Sequence, residues 1–293
     1  MVVAEPSLLP TRDRAGRRTL LGANSSRLLN WTGASLIVVV TLVALLAPVL
    51  APHNPLQPIG MPFRGPGSGG YLLGSDTIGR DVLSRVLYGV RASWFAALAV
   101  VLIGLLFGGL IGLISGAAGG WVDNLLMRIT DAFLSLPAPV LAIAVVAALG
   151  PGFVHTLIAV SVVWWPFYAR IVRGEVRMLA ARPHVEAAKL AGAGRFRLAL
   201  RHLLPGALPA AVVTASLDIG NLILTLAGLS FLGLGQSAPA AELGADSARN
   251  LTYLLQYWWV PVMPGLAVMV LALIGNVAGD SVRNLIDGKQ GAR

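Results

Sequence analysis

The residues able to do chemistry are few, and they fall into three groups. Glu186, Ala187, Ala188 and Gly192 form one, followed closely by Arg195, Arg197 and Arg201. Asp218 and Asn221 form a second, inside a long apolar run, with Asp131 in another such run. Arg80, Asp81 and Arg85 form a third, in a short charged stretch. General acid–base work needs a second acid, His or Lys within reach of the first, and none shares a helical face with Asp218. The histidines at 53, 155, 184 and 202 are too scattered to suggest a metal site, and cysteine is absent. The Gly-Lys pair at 288–289 is followed by Gln290, so there is no phosphate-cradling G-x-x-x-x-G-K-[ST] loop. No H-E-x-x-H or G-x-S-x-G pattern occurs. We therefore expect no catalytic residues, no bound metal and no cofactor of the chain's own. What remains is docking and the lining of a path.

The elements that must hold these groups are membrane helices. Of 293 residues, 56% are hydrophobic and 12% charged, where a soluble domain carries about a quarter charged. Six apolar stretches approach the roughly 20 residues that a bilayer demands: 31–50, 92–118, 125–149, 156–171, 205–232 and 258–278. The fourth is short and must tilt, thin the bilayer or run on through Val172. Ten-residue alternating strands are missing, so the expected fold class is all-α, a polytopic bundle of six transmembrane helices. With the N-terminus inside, inner segments hold 17 of the 22 Lys and Arg residues, which places both termini in the cytoplasm. The net charge of +9 thus follows membrane topology and does not call for a nucleic-acid partner. Arg17-Arg18 reads as the positive flank of an uncleaved first span, because Pro48 and Pro52 spoil a cleavage site. Tyr257, Trp258 and Trp259 read as an interfacial aromatic belt.

Physical readings of the three groups leave alternatives open. An aspartate at mid-membrane costs about 2.5–3.5 kcal/mol on insertion scales, so Asp218 must face protein or water. It either lines a path or hydrogen-bonds a neighbouring helix. Gly104, Gly108, Gly112 and Gly116 make a small-residue face for close helix packing, within the subunit or across a dimer. Pro183 suits the first turn of a helix, Glu186 meets the positive end of its dipole, and Gly192 and Gly194 stop it. A second helix then carries Phe196, Ala199, Leu200 and Leu203 along one stripe, Arg197 and Arg201 on another face, and ends where Pro205 opens the fifth span. This loop, about residues 174–204, is either a mechanical handle or a basic segment lying on anionic lipid. Arg80, Asp81 and Arg85 are either an outward contact or an internal ion-pair cluster.

Glu186-Ala187-Ala188, three residues, Gly192 and then Leu203-Leu204-Pro205 resembles the EAA loop of ABC importer permeases. "LGSDTIGRDVLSRVLYGVRAS" (73–93), "YARIVRGEV" (168–176), "LSFLGLG" (229–235) and "NVAGDSVRNLID" (276–287) are similar, in order, to the C-type permease of dipeptide, oligopeptide and nickel importers. The family often has Glu where this chain has Leu226, and Pro-rich sequence with a Trp where it has residues 238–244; both departures bear on substrate. The resemblance implies a type I, MetI-like permease domain over residues 31–288, with tails at 1–30 and 289–293, in a bacterial cell membrane. It implies a heterodimer with a second permease, two ATPase subunits holding ATP and Mg, and an external binding protein delivering peptides. Glu186, Ala187, Ala188, Gly192 and Arg197 would couple to the ATPase. Asp218 and Asn221 would line the path, and Arg80, Asp81 and Arg85 would meet the binding protein. A stand-alone secondary transporter or channel is the competing expectation; a membrane enzyme would need a polar centre that the chain does not show.

Overall fold

The computed structural model describes residues 18–290, and all of its regular structure is helical. The twin arginine's Arg17, most of the expected N-terminal tail and residues 291–293 lie outside the described residues. Helix α1 spans Arg18–Leu50, α2 Val82–Ala118, α3 Gly120–Leu134, α4 Ala138–Leu149 and α5 Phe153–Ala180. A short α6, Pro183–Leu190, and α7, Arg195–Leu198, lead through a π-helical turn at Ala199–Leu203 into α8, Leu204–Phe231. The short α9, Leu243–Arg249, and a 3-10 turn, Leu251–Tyr253, precede α10, Trp259–Gln290. Among the described residues, four helices are long and apolar enough to cross a membrane, α3 with α4 makes a fifth as a bent pair, and the apolar Ser35–Leu50 part of α1 falls on the expected first span.

Glycine decides how closely α2 packs. A methyl on Gly104 would stand 2.8 Å from the Tyr168 ring, and one on Gly116 would stand 2.7 Å from Val176. Gly108 and Gly112 likewise lie against the α5 backbone. The small-residue face is thus filled within the subunit, by α5, so of the two readings the intramolecular one describes this face. Gly220 of α8 and Gly275 of α10 pack the next pair in the same way. Around these contacts Trp94, Val100, Val160, Tyr168, Leu222 and Ile223 form the fully buried centre of the bundle.

Three boundaries differ from the sequence expectation. The third span is not one helix: α3 and α4 meet at 88°, because Pro137 and Pro139 remove two amide donors and push the preceding residues out of helical geometry. The fourth span needs no thinned bilayer, since α5 continues for 28 residues, past its apolar section and through its arginines. Pro205 does not separate the second loop helix from the fifth span; α7, the π turn and α8 run as one rod from Arg195 to Phe231.

Candidate coupling surface and translocation site

At one end of the bundle, α6 has one fully buried side chain, with Ala188 packed beside it. Val185 is 0% exposed and packs among Val176, Leu179, Leu198 and Leu203. Pro183 fixes the first turn, Glu186 stands near the positive end of the helix and Lys189 near the negative end. The helix closes in a Schellman motif: the Ala193 amide donates to Ala188 O at 3.0 Å and the Gly192 amide to Lys189 O at 3.0 Å. Gly192 sits at φ +83°, a conformation costly for any residue with a Cβ. Glu186, Ala187 and Leu190 then face outward together, with Leu190 90% exposed. Gly192 and Arg197 are exposed as well, and Ala188 is half-buried.

The expected apolar stripe Phe196–Ala199–Leu200–Leu203 does not form as read. Phe196 is 79% exposed and Leu200 is exposed, whereas Leu198 and Leu203 are buried. The π turn is the reason: it brings residues five apart onto one face, so Leu198 and Leu203 align where α-helical spacing would separate them. Phe196 joins Leu190 on the open surface instead. Beside this end, Asp123 of α3 accepts from Arg173 of α5 at 2.5 and 2.7 Å and pairs with Arg177 at 2.8 Å. These bonds tie the turn between α2 and α3 to the helix that carries α6.

Midway along α8, Asp218 is buried against α5. Tyr168 donates its hydroxyl to Asp218 Oδ2 at 3.1 Å, and the Trp164 indole donates to the same oxygen. The carboxylate therefore faces protein, and Asn221 on the same helix is exposed. Trp164 and Tyr168 went unnoticed in the sequence. Their four-residue spacing in an otherwise apolar span, each with one polar hydrogen, was the available signal.

At the opposite end, residues 51–81 and 232–258 form a cap. Arg85 is 4% exposed, and its Nε and Nη2 donate to Asp246 at 3.1 and 2.6 Å. Its Nη1 donates to Pro55 O at 2.9 Å and Pro239 O at 3.2 Å, and Nη2 also reaches Ala240 O at 3.1 Å. Arg80 donates to Asp76 at 2.6 Å. Asp81 caps α2, accepting from the Ser84 amide at 3.0 Å and its hydroxyl at 2.6 Å. Asp81 and Arg85 thus do not reach the surface; their charges join α2 to both cap loops and to α9. Asp76 and Asp246 were the partners missing from the sequence reading. In the same cap Glu242 is buried, with Oε2 unbonded, and burial pushes its carboxyl up from 4.5 to about 7, with Asp246 adding to the rise.

A helical membrane bundle with one short helix offered outward between two spanning helices is the layout of a transport permease. The chain belongs to the family of binding-protein-dependent transport system inner membrane components, whose model matches residues 108–290. It is 42% identical over 263 residues to a probable D,D-dipeptide transport system permease protein of Escherichia coli K12, covering 89% of this chain and 88% of that one. It is 38% identical to the dipeptide transport system permease protein of Haemophilus influenzae, covering 88% of this chain and 89% of that one. It is 38% identical to the nickel transport system permease protein of E. coli K12, covering 86% and 91%. The inward-facing MetNI methionine ABC transporter superposes with a TM-score of 0.57 over 70% of this chain and 97% of its own, at 20% identity, a likeness of fold.

Proposed function

We propose that this chain is one half of the membrane path of an ATP-driven peptide importer, turned by ATPase subunits through α6. The observation that carries the reading is the build of α6: one buried anchor, Val185, and an open face of Glu186, Ala187 and Leu190. The helix is slung between α5 and the continuous α7–α8 rod, so a push on it moves two spanning helices. Leu190 and Phe196 supply the apolar area, and Glu186, Lys189 and Arg197 the surrounding charge, that a protein groove would cover. In this reading residues 31–288 form the permease unit, the α6 end and both termini face the cytoplasm, and the cap faces outward. ATP and Mg belong to the ATPase partners, a second permease completes the path, and an external binding protein delivers its load to the cap.

Asp218 with Trp164 and Tyr168 acts as the positioning lock between α5 and α8, and Asn221, itself a hydrogen-bond partner of Asp218, is the exposed polar residue beside it on the path. With Asp81 and Arg85 occupied internally, the binding protein would touch the cap through exposed residues such as Ile59, Met61 and Leu72, with Arg80 at the edge. The proposed cargo is peptide because the 42%-identical relative and the 38%-identical Haemophilus influenzae one are named for dipeptides, although the nickel-named relative aligns over a similar share. The test is reconstitution of the chain with its permease, ATPase and binding-protein partners. Gly192→Asp and Glu186→Lys should leave the complex in the membrane and hydrolysing ATP, while uptake per ATP falls. Normal uptake by both variants removes the coupling role. Uptake by this chain alone on an ion gradient establishes a stand-alone transporter instead.

A further inference from the structure

Six residues beyond the fully bonded Arg85, the same helix carries a second arginine. Arg91 is half-buried, and among the described residues it has no hydrogen bond or ion pair. It lines a cavity of about 820 Å³ roofed by residues 236–241 of the cap and walled by α2 and the start of α5. That volume lies within the roughly 300–1,000 Å³ of small-molecule sites. Most of the wall is apolar, including Leu56, Phe95, Phe153 and Leu157. The other polar side chains in it, Tyr88, Gln236 and Ser237, are also without hydrogen bonds among the described residues. Among the described residues no acidic side chain lines the cavity.

A cation held against apolar walls without a counter-charge is left partly desolvated and uncompensated, and an oxyanion that enters relieves this. The guanidinium fork matches a carboxylate in two parallel bonds. We propose that Arg91 and this cavity form a subsite for the terminal carboxylate of a peptide passing through the permease, an inference that rests on the peptide-importer reading. Tyr88, Gln236 and Ser237 complete the oxyanion's hydrogen bonds, and the apolar wall takes the last side chain. Because no acid is present, the amino end is left unselected. Recognition of the chain terminus in place of the side chain lets one path accept many residues.

The experiment uses the complete transporter in proteoliposomes, with radiolabelled Ala-Ala, and compares wild type with Arg91→Gln and Arg91→Lys. Loss of a charged hydrogen bond to the cargo should lower Ala-Ala uptake per ATP hydrolysed by about tenfold in Arg91→Gln. Binding-protein-stimulated ATP hydrolysis should stay at the wild-type level, and Arg91→Lys should restore most of the uptake. Unaltered uptake in Arg91→Gln overturns the subsite and leaves the importer reading standing. A parallel fall in uptake and ATP hydrolysis, unrelieved by Lys, assigns Arg91 to structure and also overturns it. Native mass spectrometry supplies the other source of an oxyanion: a phospholipid bound to wild type and lost in Arg91→Gln, with uptake unchanged, makes the ligand a lipid phosphate. If the wild-type complex moves no peptide on ATP, the importer reading and the subsite fall together.

Discussion

In the cap, Arg85 engages every guanidinium nitrogen with Asp246 and three loop carbonyls, and the chain around it is buried. At the other end, Glu186, Leu190 and Phe196 are exposed, and Val185, with Ala188 beside it, packs α6 onto the bundle. Arg85's charge is spent within the chain, whereas the α6 surface leaves apolar side chains open. The difference teaches where charge is structural and where it is offered. By type Arg80, Asp81 and Arg85 fitted either an outward contact or an internal ion-pair cluster, and each of them bonds within the cap. The thinly charged, alanine-rich segment is the one with free area.

Breaking the cap should give the largest change. Arg85→Met strands the Asp246 carboxylate in a buried site, and loss of one partner from such a pair costs about 3–5 kcal/mol. Thermal unfolding in detergent should show it, and Asp246→Leu added to Arg85→Met should recover part of the loss. Glu242 gives the next effect. Its folded carboxyl binds a proton more tightly than the unfolded one, so its contribution is full below pH 4.5 and is lost as pH rises to about 7. That shift is worth about 3 kcal/mol, and Glu242→Gln should flatten stability against pH across this window. At the other end, Val185→Ala should cost about 2 kcal/mol, felt locally as faster amide exchange over α6 with α2 and α5 unchanged. The smallest effect on the fold sharpens the comparison most. Leu190→Ser should move thermal stability by less than about 0.5 kcal/mol, yet weaken retention of the ATPase subunits on the purified complex.

The bundle was legible in the sequence because lipid permits few ways of satisfying a backbone, so apolar length alone places most spans. What escaped depended on bonds between distant residues. Val82 begins α2 well before its apolar part, because Asp81 caps it and Arg85 is neutralised by Asp246 from across the cap. The bend after α3 was written in Pro137 and Pro139, but composition outvoted them in a reading by apolar length. The stripe through Phe196 assumed one helical period throughout, and nothing local announced the π turn. The helix from Pro183 and its stop at Gly192 were readable because a first-turn proline, a dipole and a left-handed glycine are local matters, whereas the loop's role came only with the family resemblance.

The π turn at Ala199–Leu203 fixes more than two side chains. It makes the angular setting of everything before it depend on one supernumerary residue in a rod otherwise continuous to Phe231. Rewinding the same residues as regular α-helix would swing α7, with α6 behind it, by roughly 100° around the axis of α8, whereas deleting Leu200 together with the π turn would leave Leu198 and Leu203 four apart and the bearing nearly unchanged. How this one extra residue is wound sets the compass bearing at which α6 is presented.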